Sequence, residues 1–308
     1  MGQQVNVYRK LKLWPGAVVE GSWNGSYDVG GRTYYVNNAT GSSTADGLSW
    51  NSAMAEVNDA ITASAAWLAL QATGNTWIQN TIVVRGVEDA YAAITAAPNT
   101  CRIIGLGVTP NGSWGSIARI ASATTCMVGD SRGMELYNLR FESYGGSAYN
   151  IISIPNSLGM VMEDCSLMSH NENGTTRLNA AIGGTVTVWA GHVLRRNRIG
   201  GAGGALGCSM GIDLTATNPT TWNNCLIENN IIEATSYGIR GHALANAQGT
   251  LVRDNDFFGQ TDDGTGAVMT YGIQASLYMH SHGNRFSASD GLRDNESYQT
   301  VGDTIVTS

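Results

Sequence analysis

Short segments that alternate apolar and polar residues recur along the second half of the chain. Each segment starts and ends on an apolar residue and carries asparagine or a substitute at its fourth position. The copies cover residues 136–141, 162–167, 194–199, 227–232 and 252–257, with a looser copy ending at residue 286. Their fourth residues lie 25 to 33 residues apart, about 29 on average. Strand-like repeats of this size are typical of solenoids, in which each coil buries its apolar face against its neighbours.

The chain ahead of these repeats has a different pattern. Apolar residues three or four positions apart predict one buried face of a helix from about residue 51 to residue 70, with Ser49 or Asn51 as its cap. The residues on that face are Met54, Val57, Ile61, Ala65 and Leu68. Residues 81–86 and 101–107 are predicted strands that end at glycine.

These elements predict one continuous body in four parts. Residues 1–32 form an N-terminal lead-in, and residues 33–80 hold a strand, a turn and the capping helix. Residues 81–288 form the coils, and residues 289–308 form a C-terminal cap or tail. The helix is expected to cover the open apolar end of the stack, which a solenoid must protect.

Stacking places equivalent residues of successive coils about 4.8 Å apart. Asn197, Asn230 and Asn255 are therefore predicted to form a buried amide ladder, which Leu139 and Cys165 interrupt in the earlier coils. Two positions before each of these residues, a second column reads Tyr137, Glu163, Arg195, Glu228 and Arg253. The alternating charges predict a ladder of ion pairs with a structural role.

A further motif precedes the asparagine-bearing strands. It reads Met-Gly-Ile-Asp at 210–213, Tyr-Gly-Ile-Arg at 237–240 and Tyr-Gly-Ile-Gln at 271–274, and the segment 47–50 reads Gly-Leu-Ser-Trp. Over residues 33–290 the sequence resembles the right-handed parallel β-helix, or pectate-lyase-like, superfamily. The resemblance implies an all-β, right-handed, single-stranded parallel β-helix. It leaves the activity open, because the superfamily includes lyases, glycosidases, esterases, phage tailspikes and non-enzymatic virion proteins.

Composition agrees with an all-β protein and narrows its partners. The chain is 43% hydrophobic and 13% charged, has 39 glycines, and carries a net charge of −7. Lys10 and Lys12 are its only lysines, so a basic nucleic-acid groove is not expected. The five cysteines show no metal-binding or disulfide spacing. No cofactor, metal or membrane partner is predicted, and the lack of a visible signal peptide favours assembly in a reducing cytoplasm.

The most enzyme-like group is Asp213, Arg240 and His242. Asp213 and Arg240 follow the same Gly-Ile motif in successive coils, and Arg240 and His242 share a strand face. An acid beside a cation could transfer protons at a uronate or glycosidic centre. Asp262 and Asp263 form a second acidic pair in a glycine-rich loop. The alternatives are an outward ion pair and a plain turn.

Two other surfaces are candidates for binding. Trp189 and Trp222 lie in consecutive coils and could bind a sugar ring or a protein, or could cover a turn. The lead-in residues could dock onto an acidic partner, or could protect an edge strand. They are Tyr8, Arg9, Lys10, Lys12 and Trp14.

The resemblance admits three functions. A virion structural protein, such as a capsid decoration, cement or spike component, is favoured because the lead-in and tail are short. It would be a homotrimer with capsid or tail proteins as partners, assembled in host cytoplasm. A polysaccharide lyase or glycoside hydrolase of the tailspike type is the alternative. A non-catalytic carbohydrate-binding surface protein is the third.

Overall fold

The protein is an all-β parallel solenoid with one α-helix near its N-terminal end. A computed structural model describes residues 31–71, 78–107, 117–129, 131–154, 157–170, 177–183, 189–202, 207–213, 222–240, 249–259, 269, 271–274, 280–287, 300–301 and 304–306. Within them, strands stack in parallel into sheets of ten, eight, six and four strands. The predicted β-solenoid with coils of about 29 residues is thereby confirmed, while its right-handedness stays a prediction.

The two largest sheets receive consecutive strands from each coil. The ten-stranded sheet consists of Thr33–Val36, Asn80–Arg85, Cys101–Leu106, Glu135–Tyr137, Val161–Glu163, Val193–Arg195, Leu226–Glu228, Leu251–Arg253, His280–His282 and Thr300–Val301. The eight-stranded sheet consists of Arg119–Ser122, Arg140–Ser143, Ser166–Ser169, Arg198–Ala202, Ile231–Ala234, Asp256–Gly259, Arg285–Ser287 and Thr304–Val306.

The two smaller sheets complete the coils. The six-stranded sheet consists of Met127–Val128, Asn150–Ser153, Leu178–Gly183, Cys208–Asp213, Tyr237–Arg240 and Tyr271–Gln274. The four-stranded sheet consists of Ser131–Arg132, Ser157–Leu158, Trp189–Ala190 and Trp222–Asn223. Parallel pairing begins at Thr33–Val36 and continues to Thr304–Val306, so both ends of the described chain take part in the stack.

The helix is shorter than predicted. A 3-10 turn covers Trp50–Ser52, capped by the Ser49 hydroxyl, and the α-helix covers Val57–Ala69. The prediction of a continuous helix from residue 51 was wrong. Met54 donates its backbone N–H to the Tyr35 carbonyl and so pairs with the first strand, which keeps it out of the helix. The helix packs against the first two strands of the ten-stranded sheet.

The buried face of the helix also differs in part from the prediction. Val57 and Ile61 are buried in the core as expected, but Ala65 is exposed. Ser64 is buried instead, and its hydroxyl accepts a hydrogen bond from Asn80 Nδ2 at 2.8 Å. The sequence does not predict this contact, because a serine in a helix does not indicate that its partner is an asparagine on a distant strand.

The predicted phase of the repeats is correct along the stack. In the ten-stranded sheet Tyr137, Glu163, Arg195, Glu228 and Arg253 are successive Cα partners. The fourth residues of the motif, two positions later, are therefore also stacked. A shift of one residue in any coil would turn its apolar residues outward, so the hydrophobic pattern fixes this phase.

The stacked asparagines form the predicted ladder. Asn230 Nδ2 donates to Asn255 Oδ1 at 2.9 Å, and Asn197 Nδ2 donates to Asn230 Oδ1 at 3.0 Å. Each amide also donates to a backbone carbonyl of the preceding coil. The ladder extends to Asn284, whose Oδ1 accepts from Asn255 Nδ2 at 2.9 Å. We call these four residues the asparagine ladder.

Cys165 occupies the ladder position one coil earlier and takes over part of the same role. Its thiol lies 3.6 Å from the Leu136 carbonyl, the position that corresponds to the carbonyls bound by the asparagines. Its backbone N–H donates to Asn197 Oδ1 at 2.9 Å. Burial raises the pKa of the Cys165 thiol to about 12, so it remains a neutral donor. All five cysteines are free and buried.

The residue before each ladder position turns the chain from one sheet to the next. Asn138, Asp164, Arg196, Asn229 and Asp254 all have φ between 52° and 56°. This left-handed conformation is costly for most side chains and is best tolerated by asparagine, aspartate and glycine. The polar residue at this point of the motif therefore forms a corner between two sheets. Arg196 adopts the same left-handed conformation, so the corner also accepts a residue that does not favour it.

Glycines in the Gly-Ile motif make room for the core. A Cβ added to Gly238 would lie 2.4 Å from the Phe257 ring, and one added to Gly272 would lie 2.0 Å from the Phe286 ring. These two phenylalanine rings stack with centroids 4.7 Å apart. The motif that carries the superfamily resemblance thus has a packing role, because aromatic rings of the eight-stranded sheet lie beneath it.

Candidate functional site

Outward-facing charges of the ten-stranded sheet bind one another. Arg195 contacts Glu228 at 2.5 Å and Glu163 at 3.2 Å, and Arg253 contacts Glu228 at 2.5 Å. Burial would raise the pKa of Glu228, but the hydrogen bonds from the two arginines outweigh it and hold the pKa below the ordinary value. We call these four residues the charge ladder. It has the structural role predicted for it, because each charge has its counterion on the same face.

Asp213 and Arg240 lie on the six-stranded sheet as direct register partners. Asp213 is buried, whereas Arg240 is half-buried and its guanidinium lies 5.2 Å from the centroid of the Tyr237 ring. Tyr237 in turn stacks on Tyr271, with centroids 5.9 Å apart. Arg240 Nη1 also lies 3.6 Å from Met210 Sδ. The structure thus places Asp213 and Arg240 in register and brings Arg240 next to a stacked pair of tyrosines, Tyr237 and Tyr271.

This face can bind planar and anionic groups. A guanidinium on an aromatic ring keeps donors for a carboxylate, and stacked tyrosine rings present apolar surface beside hydroxyl groups. The Nε of Arg240 is buried and makes no hydrogen bond within the described structure. The signal in the sequence was the repeated Tyr before Gly-Ile, which was read only as a fold motif.

Other predicted site residues lie wholly or partly outside the described residues. His242, the acidic pair Asp262 and Asp263, and the lead-in residues Tyr8, Arg9, Lys10, Lys12 and Trp14 lie outside them. The backbones of Trp189 and Trp222 are described and are register partners in the four-stranded sheet. The two tryptophans therefore do occupy adjacent coils, as the spacing predicts.

A second polar cluster, which was not predicted, lies on the eight-stranded sheet. Glu142 is fully buried, and its carboxylate lies 2.5 Å from Arg140 Nε and 3.5 Å from Arg119 Nη1. Tyr144 donates its hydroxyl to Glu142 Oε2 at 3.3 Å and stacks on His170, with ring centroids 5.1 Å apart. Burial, and then the negative charge of Glu142, raise the pKa of Tyr144, which keeps the phenol protonated.

Part of this cluster is visible in the sequence. Arg140, Glu142 and Tyr144 alternate along one strand, so they share a face. Arg119 is harder to place, because its coil precedes the first copy of the motif and it aligns with Arg140, another cation. Equal charges in register are unfavourable unless a counterion joins them. Glu142 is that counterion, and its complete burial indicates a structural role more than contact with a substrate.

Two kinds of feature are absent from the described residues. They contain no group of three or more histidine, cysteine, aspartate or glutamate side chains arranged to hold a metal ion. They also contain no helix long and apolar enough to cross a membrane.

Comparison with known proteins adds no assignment. No family model, no curated protein and no solved structure matches this chain. The parallel solenoid therefore stands on the chain's own register and packing, and its activity must be argued from its surfaces.

Proposed function

We propose that this chain is a structural protein of a virus particle, a rod that decorates, cements or projects from a capsid. The observation that supports a structural role in this proposal is the charge ladder. Along the outside of the longest sheet, the charged side chains bind one another, with Glu228 held by an arginine on each side. Side chains used in this way stabilise the stack and are not free to act on a substrate.

Attachment to the particle is assigned to the lead-in. Its basic and aromatic residues are grouped in a chain otherwise poor in lysine, so they suit an acidic shell protein. The link to virus particles comes from the superfamily resemblance together with this segment.

The first test is whether purified particles carry the chain, as measured by mass spectrometry. In a binding test, particles that lack the chain are mixed with purified protein and sedimented. Reversing Arg9, Lys10 and Lys12 to glutamate should abolish co-sedimentation, while reversing the exposed Arg85 and Arg132 should not. Equal binding by both variants would reject the docking assignment.

A second function is favoured by the Asp213 and Arg240 face. An acid and a cation on adjacent rungs, next to stacked tyrosines, are groups that a lyase or glycoside hydrolase for acidic polysaccharides would use. That enzyme should release reducing ends or an unsaturated uronate from an acidic glycan. Asp213→Asn or Arg240→Ala should abolish the product, whereas the exposed Arg285→Ala should retain it.

A third function, glycan binding without catalysis, is favoured by the register of Trp189 and Trp222. It predicts retention on an immobilised glycan with no new reducing ends. The double variant Trp189→Ala with Trp222→Ala should lose retention with its melting temperature unchanged. A glycan that is retained equally by this variant would exclude the tryptophan pair.

A further inference from the structure

The outer face of the ten-stranded sheet carries an aliphatic row beside the charge ladder. Val161, Val193, Leu226 and Leu251 occupy consecutive rungs and are all partly exposed. The charge ladder lies two residues further along the same strands. Apolar side chains that line up on the exposed face of the stack lower the free energy of the protein when another surface removes them from water.

The order of signs in the charge ladder identifies what can cover it. From Glu163 to Arg253 the signs run negative, positive, negative, positive. Turning the stack end over end gives the opposite sign at every rung. A second copy in that orientation therefore places Arg253 opposite Glu163, and Arg195 opposite Glu228, whose carboxylate is itself buried beneath Arg195 and Arg253, so the order of signs matches its own reverse.

Only one type of two-fold axis brings the rows together correctly. An axis parallel to the strands, between the rungs of Arg195 and Glu228, reverses the stack but keeps positions along the strands. The aliphatic row then faces the aliphatic row, and the charge ladder faces the charge ladder. An axis parallel to the stack would instead place aliphatic side chains against charges, which costs desolvation without pairing.

The complementarity continues one rung beyond the ladder at each end. The rung before it carries Glu135 and Tyr137, and the rung after it carries the exposed His280 and His282. Under the same axis Glu135 lies opposite His280, and Tyr137 lies opposite His282. These pairs place His280 against Glu135, which Arg102 of the same chain already binds at 2.7 Å, and an aromatic ring against an imidazole.

We propose that this face is a self-association surface, on which two copies of the chain pack face to face with antiparallel stacks. Such a contact is isologous, since the same patch is used by both copies. It differs from the homotrimer expected for a virion structural protein. It rests on residues of the ten-stranded sheet and not on the lead-in, so it stands independently of attachment to a particle.

The size of the face sets the expected affinity. Six rungs of about 4.8 Å and strands of three residues give a face of about 29 Å by 10 Å, or roughly 300 Å² per copy. A standard interface buries about 800 Å² per partner. Association is therefore expected to be weak and transient, and to be visible only at high protein concentration. Crowding of many copies on one surface would favour it.

Sedimentation equilibrium of the full chain from about 10 μM to 1 mM tests this proposal. The wild type should form dimers, and Leu226→Lys should weaken association by roughly 100-fold or more, since a lysine would be buried against an aliphatic row. The matched control is Ile231→Lys, which replaces a 40% exposed apolar residue on the eight-stranded sheet and should leave the dimer intact. Circular dichroism checks that both variants keep the fold.

A cross-linking test establishes the orientation and does not depend on the lysine variants. Chains carrying Val161→Cys are mixed with chains carrying Leu251→Cys and treated with a short bismaleimide. A linker is needed because packed sheets lie about 10 Å apart, too far for a disulfide. The native cysteines are buried, so wild-type protein should not react.

Antiparallel packing predicts cross-linked dimers in the mixture and little product from either chain alone. Cross-linking of Val161→Cys chains to one another would indicate parallel packing and overturn the proposal. A chain that stays monomeric to about 1 mM, or that forms trimers, would overturn it as well. So would a dimer that dissociates in the Ile231→Lys control but persists in Leu226→Lys.

Discussion

Removing one amide from the asparagine ladder should destabilise the protein by several kcal/mol. Asn230 is the best position because it has neighbours on both sides. Its Oδ1 accepts from the backbone N–H of Asn197 at 2.9 Å, and its Nδ2 donates to the Leu194 carbonyl at 2.9 Å. In Asn230→Ala the buried N–H of Asn197 loses its partner, and the Leu194 carbonyl, which also lies within the strand ladder, loses one of its hydrogen bonds, while the side chains of Asn197 and Asn255 each keep another bond.

The magnitude follows from those two groups. A buried donor left without a partner costs about 1 to 3 kcal/mol and a lost additional hydrogen bond about 0.5 to 1.5 kcal/mol, so Asn230→Ala should cost about 1.5 to 4.5 kcal/mol of unfolding free energy. Asn230→Cys should cost less, because Cys165 already directs its thiol to the equivalent carbonyl one coil earlier. The loss should then be about 1 to 3 kcal/mol, from the unsatisfied N–H alone.

Urea unfolding followed by circular dichroism measures these differences. Asn51→Ala is the matched control, since this asparagine is exposed in the 3-10 turn and should change stability by no more than about 0.5 kcal/mol. If Asn230→Ala and Asn51→Ala unfold at the same urea concentration, the ladder contributes nothing measurable and the reasoning fails. If Asn230→Cys is as damaging as Asn230→Ala, the thiol is not a substitute for the amide.

Three further predictions concern the thiols, the charge ladder and the core. The native protein should not react with a thiol reagent within minutes, whereas urea-unfolded chains should expose every cysteine, because burial raises the pKa of thiols such as Cys165 to about 12. The pKa of Glu228 lies below its ordinary value of 4.5, so the ladder stabilises the fold above that pH and loses this contribution as the pH falls through the lowered pKa. Glu228→Gln should lack this acid-dependent loss, and an unchanged pH profile of the melting temperature would contradict the assignment. Gly238→Ala should cost about 1 to 3 kcal/mol through overpacking against Phe257, and Phe257→Leu in the same chain should recover part of it; additive losses would contradict the clash.

The fold was predictable where the chemistry of each coil is distinctive. A buried asparagine and alternating charges mark the same point in successive coils, so the phase of the stack from Tyr137 to Arg253 could be predicted from sequence. The start of the helix could not, because Met54 satisfies both the helical period and a strand, and pairing with the first strand prevails. Tertiary contacts override the local pattern at that point.

The candidate sites were less predictable for a physical reason. Asp213 and Arg240 can be predicted because both follow a repeated motif, whereas Tyr237 is part of the motif itself, and the sequence does not show that its ring lies beside Arg240. The cluster around Glu142 needs Arg119, which comes from a coil without the repeat signature. Contacts between side chains of different coils can be predicted only when the register of each of those coils is known.

The asparagine ladder also has a direction. The side chain of Asn255 hydrogen-bonds backbone groups of the coil before it. Its own backbone N–H donates to the side chain of Asn284 in the coil after it. Each coil is thus completed by its successor. During synthesis, the last coil made lacks these hydrogen bonds until the next coil has folded onto it. A chain shortened from its C-terminal end so that it lacks Asn284 would leave the backbone N–H of Asn255 without its acceptor. The stack therefore has a polarity, because each ladder asparagine completes the hydrogen bonds of the coil on its N-terminal side.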